Sequence, residues 1–243
     1  MNKDNPNAIG ITEGGDPALN HKWCDWVRVG RPAVLITKNP ASVLRTLQTL
    51  SDKPNIVLHC GITGWGGSSW EPKVPNFLVS LEAYKEAIQW LGTERVVLRI
   101  DPILPSAEGE VKAELVKAHA VPNGRVRISF LDSYPHVLQR MAQRNIPTLT
   151  SPFHANREWR KQIWEKLGRP ETCAEPDLPH TPCIGAVECS LFNVFPQANQ
   201  HGQRPLCPCL ANKVELLGGR SPCAHQCAYC YWKDTEATQP QLF

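Results

Sequence analysis

Short apolar runs recur along the first half of the chain, each nearly continuous and rich in Val and Ile. They are Ala8–Thr12 (AIGIT), Ala33–Thr37 (AVLIT), Ile56–Cys60 (IVLHC), Val96–Ile100 (VVLRI) and Val126–Phe130 (VRISF). Runs without polar alternation suit strands covered on both faces, as in a parallel sheet. Between them lie stretches with helical spacing. Ala41–Leu50 places Val43, Leu44, Leu47 and Leu50 on one face, and Phe77–Leu91 carries Phe77, Leu81, Tyr84, Ile88 and Leu91. Val111–His119 and Tyr134–Asn145 carry weaker stripes. The repeated β/α unit predicts a parallel sheet or barrel whose working loops follow the C-terminal strand ends.

The texture changes after Thr148. Residues 149–211 are rich in Pro, Cys and His; one helix is expected at Arg157–Leu167, and the rest reads as loop. A loop this long needs a function or a pin other than an apolar core. A last short strand, Lys213–Leu217, leads through Gly218-Gly219 into Cys223-Ala224-His225-Gln226-Cys227-Ala228-Tyr229-Cys230. The chain thus divides into strand–helix units over 1–148, a Cys-rich connection over 149–211, and a final strand with its thiol loop over 212–243.

The net charge of +3, with both signs interspersed, points to neither nucleic acid nor a membrane surface. The N-terminal residues show no signal peptide and no apolar run approaches a membrane span, so a cytoplasmic protein is expected. Eight of the ten cysteines follow residue 172. In a reducing compartment such clustering favours metal ligation over disulfides. Cys24, Cys60 and Cys189 read as packing residues.

The C-x3-C-x2-C spacing of Cys223, Cys227 and Cys230 fits a zinc knuckle completed from Cys207-Pro208-Cys209, a closed iron–sulfur cluster, or a 4Fe–4S cluster with one iron left open. Cys173, Cys183, Cys207 and Cys209 form a second candidate site, for zinc or an auxiliary 4Fe–4S cluster.

The loop C-A-H-Q-C-A-Y-C-Y resembles the radical S-adenosylmethionine signature, C-x3-C-x-aromatic-C, and is most similar to enzymes like spore photoproduct lyase. Those proteins carry the motif after the first strand of a partial (β/α)6 TIM-like barrel. Here it closes the chain, and Glu13-Gly14-Gly15-Asp16-Pro17 resembles the Gly-Gly-Glu motif of the family's second strand. The resemblance therefore implies a circularly permuted barrel whose cluster-binding first strand is C-terminal. It further implies S-adenosylmethionine bound by Gly14, Gly15 and Asp16, with Tyr229 against the adenine, and an electron donor such as flavodoxin or ferredoxin. Thr37–Pro40, Thr63–Gly66, Glu71–Pro75, Arg99–Leu104, Ile128–Asp132 and Thr172–Glu175 are also similar to a bacterial family described as a domain of unknown function with a photolyase-like label.

Lys38, Arg99, Asp101 and Asp132, on or just after strands, are the candidate catalytic groups. An internal ion pair between Arg99 and Asp101 or Asp132 is the alternative, since a buried Arg needs a partner. Trp65 and Trp70 either line a pocket or cap the barrel. The function expected is reductive cleavage of S-adenosylmethionine and hydrogen abstraction from an unknown substrate. A non-catalytic iron–sulfur or zinc sensor, and a nucleic-acid repair or modification enzyme, remain alternatives.

Overall fold

A computed structural model describes residues 5–147, 153–198, 206–218 and 223–232. Gly219, part of the expected link into the thiol loop, lies outside them. The strands are β1 (Ile9–Ile11), β2 (Ala33–Thr37), β3 (Ile56–Gly61), β4 (Val96–Ile103), β5 (Arg125–Phe130), β6 (Glu171–Thr172) and β7 (Lys213–Glu215). They form one seven-stranded sheet in the order β6-β5-β4-β3-β2-β1-β7. Every pairing is parallel, and the sheet is a half-barrel flanked by helices. The expected set of six strands is extended by β6, a two-residue strand inside the Cys-rich connection. β7 lies beside β1 in the register Ile9↔Lys213, Gly10↔Val214 and Ile11↔Glu215.

The helices are α1 (Cys24–Arg28), α2 (Pro40–Leu50), α3 (Phe77–Leu91), α4 (Ala107–Ala118), α5 (Pro135–Gln143), α6 (Arg157–Lys166) and α7 (Ala186–Phe192). Side-chain caps set the starts of four of them. Asn39, Asn76, Ser106 and Asn156 each accept a backbone N–H from the first turn, the most favourable N-terminal chemistry. The Ser106 cap explains why α4 begins four residues before the Val111 expected from its apolar stripe. Helices α1 and α7 are too short to carry a readable periodicity. No helix of the described residues is long and apolar enough to cross a membrane.

Alternate residues of each strand face opposite layers, and both layers are filled. Ala33, Leu35, Ile56, Leu58, Cys60, Val96, Leu98, Ile100 and Ile128 pack with the helices. Ile9, Ile11, Val34, Val57 and Val97 pack instead with Cys173, Cys183, Ile184, Cys189, Phe192 and Cys209. The Cys-rich segment therefore fills the inner face of the half-barrel. This double coverage produces the unbroken apolar runs, and each large aliphatic side chain so buried contributes roughly 1.5–3 kcal/mol.

Candidate functional site

In a parallel sheet all strands end on one edge, so the segments after them converge. Thr12, Gly15 and Asp16 after β1, Lys38 after β2, Asp101 in β4, Asp132 after β5 and Cys173 after β6 border a common cavity of about 250 Å³. Cys223, Cys227, Tyr229 and Cys230 line the same cavity, and so does Cys207. Both predicted thiol sets thus contribute to a single chamber.

The C-terminal thiol loop has no helix or strand of its own and borrows its order from elsewhere. Its backbone carbonyls are held by α5. Arg140 donates through Nη1 to the carbonyls of Ala228 (3.1 Å) and Cys230 (2.8 Å), and through Nη2 to that of Trp232 (3.0 Å). Arg144 donates to the carbonyl of Gln226 at 2.6 Å. From the other side the Ala228 N–H donates to the Trp70 carbonyl at 2.8 Å. Trp65, Trp70, Val74, Val137 and Met141 pack with Cys227, Ala228 and Tyr229, so the two tryptophans support the loop from beneath. The strand 3 loop that brings them there turns on Gly66, where a Cβ would stand 1.9 Å from the Pro75 carbonyl oxygen.

His225 ties the loop to β1 and β2. Its Nε2 lies 3.0 Å from Asp16 Oδ2, and its Nδ1 lies 3.2 Å from the Lys73 carbonyl. Asp16 also accepts from the Thr37 hydroxyl (2.7 Å), the Lys38 N–H (2.7 Å) and the Ala18 N–H (2.8 Å). Burial alone would raise the Asp16 pKa; His225, the Lys38 amide and the Thr37 hydroxyl outweigh it and hold the carboxyl below its ordinary range. His225 is raised in return, its burial outweighed by Asp16.

A second tether passes through Tyr229. Lys38 Nζ donates to Glu71 Oε1 (2.9 Å), the Asp101 carbonyl (2.7 Å) and the Tyr229 hydroxyl (2.7 Å), and Tyr229 donates onward to Glu71. An ammonium has three donors and no acceptor, so every hydrogen of Lys38 is placed. Burial acts against its charge, but Glu71, with help from Cys227 and Asp101, keeps the Lys38 pKa above its usual value. Asp101 binds Arg99 Nε at 2.7 Å and also accepts from Ser129. The Arg99–Asp101 ion pair weighed as an alternative is therefore present. Asp132 lies 2.7 Å from His154 Nδ1.

The three thiols of this loop are pushed toward the protonated form. Burial raises Cys227 well above its ordinary pKa, raises Cys230, and carries Cys223 up to about 11. The Cys183 and Cys209 sulfurs and a Glu13 carboxylate oxygen lie within 4.8 Å of one another.

The second set is closely knit. Cys183 is in hydrogen-bond contact with Cys173 and Cys209, and Cys209 with Cys207. The Cys183 N–H donates to Cys209 Sγ at 3.2 Å, and Arg99 Nη1 lies 3.5 Å from Cys183 Sγ. These contacts with Cys173 and Cys209, then the Arg99 and Arg127 guanidiniums, hold the Cys183 thiol well below its usual pKa despite burial. Cys207, bonded to Cys209, is lowered to about 5.

All of the sequence-predicted cysteines thus fall at or beside the chamber. Gly15, Asp16, Tyr229, Lys38, Arg99, Asp101 and Asp132 line it as well. Gly14 is turned away, its N–H donating to Glu215 Oε2 at 2.9 Å. Cys60 and Cys189 are buried and Cys24 half-buried, all three as packing residues. Sequence reading missed Arg140, Arg144, Glu71 and Glu13. Glu71 left a trace in the matching segment Glu71–Pro75, and Glu13 as the first residue of the Glu13–Pro17 motif.

Comparison with known families gives a match to Domain of unknown function (DUF1848) over residues 27–232, a description that carries no activity. No curated protein and no solved structure matches the chain.

Proposed function

The chain belongs to the DUF1848 family, and from its site we propose that it is a radical S-adenosylmethionine-type enzyme carrying a 4Fe–4S cluster on Cys223, Cys227 and Cys230. The observation that carries the reading is the placement of these thiols. They line one chamber at the C-terminal strand edge, together with Gly15, Asp16 and Tyr229. Three thiols on a four-iron cluster leave one corner for a ligand.

The topology supports the permuted barrel. The strand that leads to the thiol loop lies beside β1, and the loop after β1 carries Gly14, Gly15 and Asp16. Read from β7, the sheet runs β7-β1-β2-β3-β4-β5, the consecutive order expected when the first strand is delivered last.

Cys223, Cys227 and Cys230 would hold the cluster, which would supply one-electron reduction of S-adenosylmethionine and, through it, hydrogen abstraction from a substrate. The chain's own residues hold the loop and shape the chamber. Arg140 and Arg144 fix the carbonyls between the thiols, His225 and Asp16 fix the loop's first half, and Lys38 with Glu71 fixes Tyr229. Gly15 and Tyr229 would face a bound nucleoside and amino acid, and Asp132 and Tyr134 line the same chamber. Electrons would come from a small donor such as flavodoxin or ferredoxin.

Anaerobic reconstitution with iron and sulfide, dithionite reduction and an assay for 5′-deoxyadenosine test the reading. Wild type should bind four irons at this loop and form product, and Cys227→Ala should do neither. A cluster-loaded wild type that binds no S-adenosylmethionine would favour a non-catalytic iron–sulfur protein instead.

A further inference from the structure

The inner face of the half-barrel holds a group of thiols that the proposed reaction does not use. Cys183 and Cys209 lie at its centre, with Cys173 touching the first and Cys207 the second. The Cys183 and Cys209 sulfurs lie within 4.8 Å of each other, near the 3.8 Å or so of two thiolates on one tetrahedral ion. The surroundings are already arranged for negative charge. Arg99 Nη1 points at Cys183 Sγ, and the Cys183 N–H points at Cys209 Sγ. Arg127, fully buried on the same face, pairs with Glu171 through Nε and Nη2, and its Nη1 has no partner. A buried guanidinium nitrogen without a partner is costly, and a nearby thiolate in place of a thiol would offset it. Outer-shell donors of this kind are what fix and tune thiolate ligands.

We propose that Cys173, Cys183, Cys207 and Cys209 bind a single thiophilic divalent cation of the zinc class, making a closed site on the inner face of the half-barrel. Glu13 stands close to the central sulfurs, but its carboxylate is engaged by Lys213, and it lies outside the ligand set. Because Cys173 and Cys207 also line the chamber, the ion forms a fixed part of its wall. It would pin the segment after β6, which has little regular structure of its own. Binding displaces the thiol protons to solvent. The assignment is independent of what the C-terminal loop binds.

The test uses full-length protein with Cys223, Cys227 and Cys230 all changed to Ala, stripped of metal anaerobically and titrated with Co2+. One equivalent should bind with thiolate-to-cobalt charge-transfer bands and the visible bands of a tetrahedral site, and Zn2+ should bleach both. Adding Cys183→Ser or Cys209→Ser should weaken binding by at least about 100-fold, whereas Glu13→Gln should leave the bands in place. Zinc-edge X-ray absorption on zinc-loaded wild type provides a second measurement that does not depend on the folding of any variant. It should give a shell of four sulfurs near about 2.3 Å. The proposal is overturned if no thiolate bands appear at saturating Co2+ and the zinc shell lacks four sulfurs, or if Glu13→Gln abolishes binding while Cys207→Ser does not. Iron and sulfide incorporated stoichiometrically by the triple variant would also overturn it, in favour of a second cluster.

Discussion

Two sets of thiols face one chamber, and they are built in opposite ways. The C-terminal set sits on a loop whose order is imported: Arg140, Arg144, Asp16, Glu71 and the Trp70 carbonyl all come from distant parts of the chain. Burial holds its thiols toward the protonated form. The inner set is packed into the sheet's face, and the contacts of Cys183 with Cys173 and Cys209, then the Arg99 and Arg127 guanidiniums, lower the central thiol. The contrast teaches that cysteine spacing in sequence groups the thiols, while burial and neighbouring donors set how readily each gives up its proton.

Several changes would break or sharpen this contrast. The largest effect is expected from Cys227→Ala, which should abolish 5′-deoxyadenosine formation and cluster incorporation while leaving the cobalt bands of the inner set intact; iron analysis and optical titration on one preparation check both. Stripping the inner ion should be next. At a thousandfold excess over its Kd a bound ligand stabilises by about 4 kcal/mol, so chelation should lower the calorimetric midpoint by roughly 10 °C. The same chelation should do so equally in the variant lacking the C-terminal thiols.

Arg140→Ala comes third. It removes one guanidinium from three carbonyls, each costing about 1–3 kcal/mol if left buried and unpaired, so a loss of about 3 kcal/mol is expected in urea denaturation. Reconstituted cluster should also decay faster in this variant, with cobalt binding by the inner set unchanged. Asp16→Asn, which weakens a charge-assisted bond to His225, should cost about 2 kcal/mol and loosen only the loop's first half, readable as faster amide exchange there. The smallest effect belongs to Tyr229→Phe, about 1 kcal/mol by the same measurement, since the ring stays and only the hydroxyl's bonds to Lys38 and Glu71 are lost.

Much of this was legible in the chain. Strands β1 to β5 announced themselves because both their faces are covered, and the thiols because few other residues cluster so late in a sequence. The convergence of Lys38, Asp101 and Asp132 followed from their places at strand ends. What holds the thiol loop did not. Arg140 lies on α5 and Arg144 just past its end, in a stretch with only a weak apolar stripe, and their partners are backbone carbonyls, which carry no side-chain signature. The burial of Glu71 depends on Lys38, remote in sequence. β6 and α7 are too brief for periodicity, and their positions are set by what they pack against: β5 for the strand, the inner strand face for the helix.

Lys38 has a consequence for anything that enters the chamber. All its hydrogens are committed to Glu71, the Asp101 carbonyl and Tyr229, so it has none left to offer a newcomer. An anionic guest can engage this ammonium only by evicting one of those neighbours. Displacing Tyr229 would free one of the tethers that hold the thiol loop, so the chamber's polar lining and the loop's order share the same bonds.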